Sequence, residues 1–422
     1  MDTETIMDVI KNQNNLMLNL IHSPDIIDRR ANIANIILST GVAHIITGPR
    51  RCGKSVFAFQ IIQNSKYGYV NFDDDRLGIT PSEFAKVEEA IIRLYGDPDV
   101  VVLDEIQNIP RWEMFVSRLV TNKKIIITGS NATLLSKELA SLMTGRHVDH
   151  ELLPFSFNDF LNFEKTGIQK GQSFTTLEKV KTISALERYL NLGGFPLAIK
   201  LGNAYLATLF RDIVERDVIF RYKIRFQEKM KDLARYLISN STSEISFRRI
   251  GSVLQLSGKS TVQNWISYLQ NSYLLFILER FSFKLKESVM APKKVYSVDT
   301  GFISMLNHSQ EKGKLMENAV FLHLQREKAK LSNPYQINYW KDYSGNEVDF
   351  VIRNGRTINT LINVTNASSK DEINAREIKA LLMASRELRC NNLQIITWDY
   401  SNEETFEGKK IKFMPIWRWL LQ

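Results

Sequence analysis

The 422-residue chain is poor in cysteine: Cys52 and Cys390 are the only two. Two isolated thiols give neither a disulfide framework nor a Cys/His zinc pattern. No apolar run approaches eighteen residues, so no membrane span is expected. Met1-Asp2-Thr3-Glu4 lacks a basic segment leading into an apolar one. No secretory signal is read there, and a cytoplasmic location is the default expectation. There is no internal repeat and no low-complexity tract. Acidic residues are in the minority, 46 against 55 basic, for a net charge of +9. That balance favours an anionic partner such as nucleic acid. Local basic clusters fall at 216–225, 229–235 and 284–294, although such clusters are more often solvated faces than binding sites. With 44% hydrophobic and 24% charged residues the composition is that of a soluble globular protein, and the length suits two to four domains.

What the chain does have is Gly48-Pro49-Arg50-Arg51-Cys52-Gly53-Lys54-Ser55, which fits the phosphate-binding pattern G-x-x-x-x-G-K-[ST]. Residues 43–47 before it read as a short buried strand, and 56–62 after it as a helix apolar on most sides. Strand, glycine loop and helix are the context the motif needs. The N–H groups of Arg51, Cys52 and Gly53 would face a β-phosphate, helped by the positive end of the helix dipole. Lys54 would reach the β- and γ-phosphates, and Ser55 would hold Mg²⁺. Contacts to ATP are therefore expected from Gly48, Pro49, Arg50, Arg51, Cys52, Gly53, Lys54, Ser55 and Val56. Cys52 reads as a small residue that the loop tolerates.

A P-loop needs an acidic partner strand. Val100-Val101-Val102-Leu103 runs into Asp104-Glu105. Asp104 would hold Mg²⁺ through water and Glu105 would polarise the attacking water. A second strand with an acidic end, 69–75, shows that a plain core strand with a solvated tip is the alternative. A third, 124–131, ends in Thr128-Gly129-Ser130-Asn131, where Ser130 or Asn131 could sense the γ-phosphate and Gly-Ser-Asn would equally serve as a turn. Arg146 is a candidate arginine finger, in cis or from a neighbouring subunit, with a surface salt bridge as the alternative.

The pattern divides the chain into N-terminal amphipathic helices over 1–30, a P-loop core over 31–156 with a parallel sheet covered on both faces, and a helical segment over 157–226 broken at Gly193-Gly194. Within that segment Arg216 is a candidate second sensor, with a helical pair to Asp212 as the simpler reading. Residues 227–305 contain a short helix at 245–256, a turn at Ser257-Gly258-Lys259, a longer helix at 262–275 capped by Ser260 or Thr261, and strands over 276–285. That is helix-turn-helix spacing. If it reads DNA, Lys259, Ser260, Gln263 and Asn264 stand at the exposed start of the second helix; packing against protein is the alternative. Residues 306–422 begin with a helix near 314 and continue as strands near 337–340, 347–352 and 360–365, with a hairpin turn at Ser344-Gly345-Asn346.

These features together resemble a family of bacterial and archaeal AAA-type ATPases whose P-loop core is followed by a domain of unknown function. The resemblance covers nearly the whole chain. It is carried by the P-loop, Leu103-Asp104-Glu105-Ile106-Gln107, Thr144-Gly145-Arg146, Pro154-Phe155-Ser156-Phe157, Gly193-Gly194-Phe195-Pro196, Arg216-Asp217 and the segment 294–301. It implies an α/β fold with a P-loop AAA-type ATPase core, a helical lid, a winged helix-turn-helix and a C-terminal α/β nuclease-like domain. The last part resembles the PD-(D/E)XK nuclease fold, whose active site needs acidic residues for Mg²⁺ and a lysine. By that resemblance Glu317 and Asp349 match, but Asn363-Val364-Thr365 stands where E-x-K belongs. Glu347 shares a strand face with Asp349 and is the nearby acidic substitute. A nuclease-like fold without nuclease activity is expected.

The leading expectation is an ATP-hydrolysing switch or motor acting on DNA or on a protein partner. Lys54, Ser55, Asp104 and Glu105 would carry the chemistry. A nucleotide-gated binding protein with negligible turnover is one alternative, which Glu105 argues against. An ATP-coupled nuclease is another, which Asn363 and Thr365 argue against. Oligomeric state is left open, since Arg146 acting in trans would require a neighbour.

Overall fold

A computed structural model describes residues 1–30, 36–62, 65–131, 145–168, 171, 174–256, 258–307, 311–331 and 333–422. They form two compact units: Met1–Leu153 with Asn271–Tyr273, and Pro154–Gln270 with Leu274–Gln422.

In the first unit, strands β1 (Ala43–Thr47), β2 (Tyr67–Asn71), β3 (Val100–Asp104), β4 (Lys124–Gly129) and β5 (His147–Glu151) make one parallel sheet in the order β2-β3-β4-β1-β5. Continuous Val and Ile runs in β1, β3 and β4 suit strands buried on both faces. The helices are α1 (Thr3–Ile21), α2 (Lys54–Ile62), α3 (Phe84–Tyr95) and α4 (Trp112–Leu119). Ile6, Val9 and Ile10 of α1 share a core with Val70, Val87, Ile91, Leu103 and Phe115. The N-terminal segment expected as a lead-in is thus one helix built into this unit. Gln13 fixes it in place: its amide accepts from Asn71 N at 2.9 Å and donates to Asn71 O and the Asp74 carboxylate. Residues 31–35, at the start of the expected P-loop core, lie outside the described residues.

The sheet order has one consequence for function. β4 lies between the strand that feeds the P-loop and the strand that ends in acids. Thr128 pairs with Asp104 on one side, and Gly129 with Thr47 on the other. The ends of three strands converge there.

The second unit opens with helices over Phe157–Phe163, Thr176–Leu192, Pro196–Leu201 and Asn203–Asp212. The last continues as π-helical turns over Ile213–Phe220, where an ordinary charged helix was expected. Gly194 is required by close approach, because a Cβ there would run into the Phe155 backbone. Asp299 fixes the same turn by accepting from Gly194 N at 2.7 Å and Gly301 N at 2.9 Å, and burial lifts its pKa to about 7.

Next come helices Phe247–Val253 and Lys259–Asn271, with strands β6 (Glu244–Ile245), β7 (Leu275–Glu279) and β8 (Lys293–Ser297) in the antiparallel order β6-β8-β7. The second helix ends at Asn271, four residues earlier than expected, because Leu275 begins β7. The strand expected to run on to residue 285 stops at Glu279, and the connection to β8 carries a short helix, Leu285–Met290.

Helix Lys312–Ala329 leads into a six-stranded mixed sheet of β9 (Gln336–Lys341), β10 (Glu347–Asn354), β11 (Thr357–Val364), β12 (Leu393–Thr397), β13 (Asn402–Phe406) and β14 (Lys409–Pro415), ordered β13-β14-β12-β11-β10-β9. Helix Ala375–Leu388 packs Leu381, Leu382, Ala384 and Leu388 against Val348, Leu361, Ile395 and Phe413. The β9–β10 register shifts between Val348 and Val351, beside Asp349. Such a bulge re-aims a side chain.

Candidate functional site

In the first unit, Gly48 and Gly53 frame the P-loop and α2 begins at Lys54. A Cβ at Gly48 would collide with the Leu152 carbonyl, so the loop can close against that segment only with glycine. The Cys52 thiol donates to the same carbonyl at 3.2 Å, and burial raises its pKa, which fits a packing role. Arg29 supports the loop from behind. Its guanidinium donates to Cys52 O at 3.0 Å and Leu153 O at 2.8 Å, while the Gln60 side chain accepts from Arg29 N at 3.1 Å. Sequence reading passed over Arg29, whose only signal was a cation next to an apolar segment.

Lys54 is buried. Its ammonium donates to Pro49 O at 3.2 Å and lies 3.3 Å from Glu105 Oε1. Burial works against its charge, but Glu105 beside it holds the pKa above the usual value. Burial likewise opposes the Glu105 charge, and Lys54 outweighs it, so that carboxylate sits below its usual range. The Glu105 backbone is left-handed, with φ of 51°, and its N–H donates to Thr128 O at 3.1 Å. Its carboxylate also accepts from the Gln107 amide and, at 3.3 Å, from Ser130 N.

Asp104 is held by Tyr69 Oη, which donates at 2.8 Å, by the Thr128 hydroxyl, and by Ser55. Burial, followed by the Glu105 charge, raises its pKa. Ser55 and Asp104, the two residues read as magnesium ligands, are therefore hydrogen-bonded neighbours. Around Glu105 two buried polar atoms, Ser130 Oγ and Gln107 Oε1, have no hydrogen-bond partner among the described residues. Orphaned polar atoms beside a glycine-framed loop and a buried lysine fit a polar, oxygen-rich ligand such as a nucleotide phosphate. Ser55 and Asp104 form an oxygen donor set that suits Mg²⁺.

Other candidates divide. Asn131 is buried directly after Ser130. Arg50 lies 3.9 Å from Asp73, at the tip of the second acidic-ended strand. Arg146 is not brought to its own P-loop. The parallel register sets His147 beside Ala43, so Arg146 stands at the opposite end of β1 from Gly48, and it is exposed. A finger in cis is incompatible with that placement. Thr144 lies outside the described residues.

In the second unit, Ser260, Gln263 and Asn264 are exposed in the first turns of helix Lys259–Asn271. The Lys259 side chain and Ser257 lie outside what is described. Arg216 is exposed on the π-helical turns.

The C-terminal acids do come together, around a residue given no role by the sequence reading. Lys294 of β8 has a side chain only 3% exposed, and its Nζ lies 2.9 Å from Glu317, 2.6 Å from Glu347 and 3.2 Å from Asp349. Tyr296, two residues on and on the same face, donates to Glu317 at 2.7 Å. The signal was a lysine two residues from a tyrosine inside an apolar strand. Burial, then Asp349, pushes the Glu317 pKa up to about 7, against the pull of Lys294. Asn363 turns away from the acids: its Oδ1 accepts from Asp349 N at 3.2 Å and its Nδ2 donates to Glu377 O at 3.3 Å. Thr365 hydrogen-bonds the Glu377 carboxylate, which burial and then Asp349 lift to about 7, and Glu377 Oε2 is buried without a partner.

A parallel sheet with a phosphate loop on one strand, a carboxylate pair on another and a polar strand end between them defines a P-loop ATPase of the AAA type. Comparison with known proteins agrees. Residues 41–161 match the model of an AAA domain, and residues 183–312 and 312–419 match two domains of unknown function. The uncharacterized protein MJ1544 of Methanocaldococcus jannaschii is 32% identical over 403 residues, covering 89% of this chain and 88% of that one. An uncharacterized protein of Haemophilus influenzae is 26% identical over 339 residues, covering 74% and 80%. The chain belongs to this family of AAA-type P-loop ATPases with C-terminal domains of unknown function. Among solved structures, AMPPCP-bound DnaA from Aquifex aeolicus aligns at 14% identity over 61% of this chain and 87% of its own, with a TM-score of 0.27. A STAND ATPase with a tetratricopeptide repeat sensor, PH0952 of Pyrococcus horikoshii, aligns at 13% identity over 73% of this chain and 48% of its own, with a TM-score of 0.26. The family assignment rests on the sequence matches.

Proposed function

We propose that this chain is an ATP-hydrolysing switch whose first unit binds and turns over Mg–ATP and whose second unit engages DNA or a protein. The observation that carries the reading is the Lys54–Glu105 pair. A buried ammonium aimed at a P-loop is held by the very carboxylate that hydrolysis requires. Phosphate oxygens would compete with Glu105 for Lys54. Released from Lys54, Glu105 keeps Gln107 and Ser130 N as orienting donors and can accept a proton from water. Ser55 and Asp104 would hold Mg²⁺, which when bound screens the phosphate charge. Lys54 and the loop N–H groups would supply the fixed electrostatic placement that phosphoryl transfer depends on.

For the second unit, the helix pair and the β6-β8-β7 sheet support a winged helix, with Ser260, Gln263 and Asn264 on its exposed helix start. The net charge of +9 favours DNA over an acid-poor protein surface. The six-stranded sheet with the Lys294 cluster supports a nuclease-like fold that does not cut.

The test is steady-state ATP hydrolysis with and without duplex and single-stranded DNA. Turnover should rise with DNA, and Glu105→Gln should lower kcat by about 10²-fold or more with ATP affinity kept. Tight ATP binding with no turnover under any condition would instead make this a nucleotide-gated binder. Undiminished turnover in Glu105→Gln would remove the base from its role.

A further inference from the structure

We propose that Lys294 is the resident cation of the carboxylate pocket in the second unit, filling from within the place that three clustered acids would otherwise offer to a divalent ion. The pocket draws on three elements. β8 supplies Lys294, helix Lys312–Ala329 supplies Glu317, and β10 supplies Glu347 and Asp349. An ammonium has three protons, and here it meets three carboxylates within 3.2 Å. Its approach is further favoured by the Tyr339 ring, 5.7 Å from Nζ.

Five of the six oxygens of these acids already have a partner. Asp349 Oδ1 accepts from Lys294 and Oδ2 from Val364 N at 2.9 Å. Glu317 Oε1 takes both Lys294 and Tyr296. Glu347 is shared with Lys341 at 3.0 Å. The positions where further metal-binding groups would be sought point elsewhere, since Asn363 serves the backbone and Thr365 serves Glu377. An entering divalent ion would have to expel an ammonium tethered to β8, and Lys294 would then be a second cation buried beside it. Both effects oppose entry. Spaced around the ammonium as they are, the acids do not themselves form a metal cage: among the described residues no group of three or more His, Cys, Asp or Glu is arranged to hold a metal, so a divalent ion would also need them to move inward once the lysine is gone. The consequence is a pocket whose acids are partly offset by an internal cation, with Lys341 beside Glu347, and which ties β8 to β10 without Mg²⁺.

The proposal does not depend on the nucleotide reading, and its test uses the full chain without nucleotide and Mn²⁺ alone as the probe. Titration by calorimetry and by electron paramagnetic resonance should show no Asp349-dependent Mn²⁺ site in the wild type up to about 1 mM, the weak end of protein affinities for divalent ions. Lys294→Met should gain one site, lost again in Lys294→Met/Asp349→Asn. In thermal melts Mn²⁺ should raise the midpoint of Lys294→Met and leave the wild type unchanged. A wild-type Mn²⁺ site that disappears in Asp349→Asn would overturn the proposal, as would a folded Lys294→Met protein that takes no Mn²⁺. If Lys294→Met does not fold, the variant Lys294→Met/Glu347→Gln/Asp349→Asn decides. Recovery of folding supports a charge-neutralising lysine, and failure to recover refutes it.

Discussion

Two buried lysines of this chain face carboxylates, and their surroundings differ. Lys54 sits where a glycine loop becomes a helix and pairs with one acid, Glu105, at 3.3 Å, with Ser130 Oγ and Gln107 Oε1 unpartnered beside it. Lys294 sits on a strand and is saturated by three acids. The first arrangement is polar, incompletely satisfied and able to exchange its partner. In the second the lysine is committed to three acids at once, although Glu377 Oε2 at its rim has no partner among the described residues. A lysine among acids therefore says little by itself. What separates the two is how far the lysine itself is committed, to one exchangeable carboxylate or to three held together.

Exchanging the two lysines for neutral residues should split the effects cleanly. The largest is expected at the P-loop: Lys54→Ala should weaken ATP binding by about 10²-fold or more, since the fixed phosphate charge is lost. Its stability cost should be smaller than that of Lys294→Met, because one acid rather than three loses its cation and Glu105 keeps Gln107 and Ser130 N as donors. Lys294→Met should do the reverse. Three acids lose their common donor, and unfolding free energy in metal-free buffer should drop by roughly 3–5 kcal/mol, the usual result of breaking a buried ion pair from one side. ATP affinity should hold within about twofold, the scatter of sites that do not touch. Denaturant melts and nucleotide titrations on both variants check the split. A Lys54→Ala protein that loses more stability than Lys294→Met would dissolve the distinction.

The first of these sites was open to sequence reading and the second was only half so, for a physical reason. P-loop chemistry is local: Gly48 to Ser55 are consecutive, and Asp104-Glu105 closes an apolar run whose place in a sheet is plain. The acids of the second site were legible one at a time, through strand period and helix position. Their neutralisation was not, because Lys294 lies 23, 53 and 55 residues from Glu317, Glu347 and Asp349, and only the pairing of β8 with its neighbours brings it in. The missing E-x-K directed attention to Asn363 and Thr365, while the structure sets Lys294 among the three acids. Arg146 shows the same limit. Its distance in sequence from the P-loop is unremarkable, and only the parallel β1–β5 register puts it at the wrong end of the sheet. The N-terminal helix was visible as a helix, while its membership of the core depended on where Ile6, Val9 and Ile10 found apolar partners.

The smallest expected effect lies at the rim of the filled pocket and tests how dry it is. Burial, then the Asp349 charge, lifts Glu377 to about 7 from a reference value of 4.5. A carboxyl whose folded pKa is raised binds its proton more tightly folded than unfolded. Its favourable contribution is complete below the unfolded pKa and fades as pH rises through the folded one, so stability should fall between about pH 4.5 and 7. Gln matches the protonated acid in shape and never ionises. Glu377→Gln should therefore leave stability unchanged at pH 5 and raise it at pH 8 by on the order of 1–2 kcal/mol, less than full linkage because the group is partly open to water. Glu317 and Asp299 also titrate near neutrality. They do so in both proteins, and the difference between wild type and variant isolates Glu377. Urea midpoints at the two pH values suffice. A gain already present at pH 5 would mean that Gln repairs the orphaned Oε2 by a new hydrogen bond, and no gain at pH 8 would mean that water reaches Glu377 and lets it ionise freely. Only a gain confined to the higher pH marks a carboxyl kept neutral by burial beside the Asp349 charge.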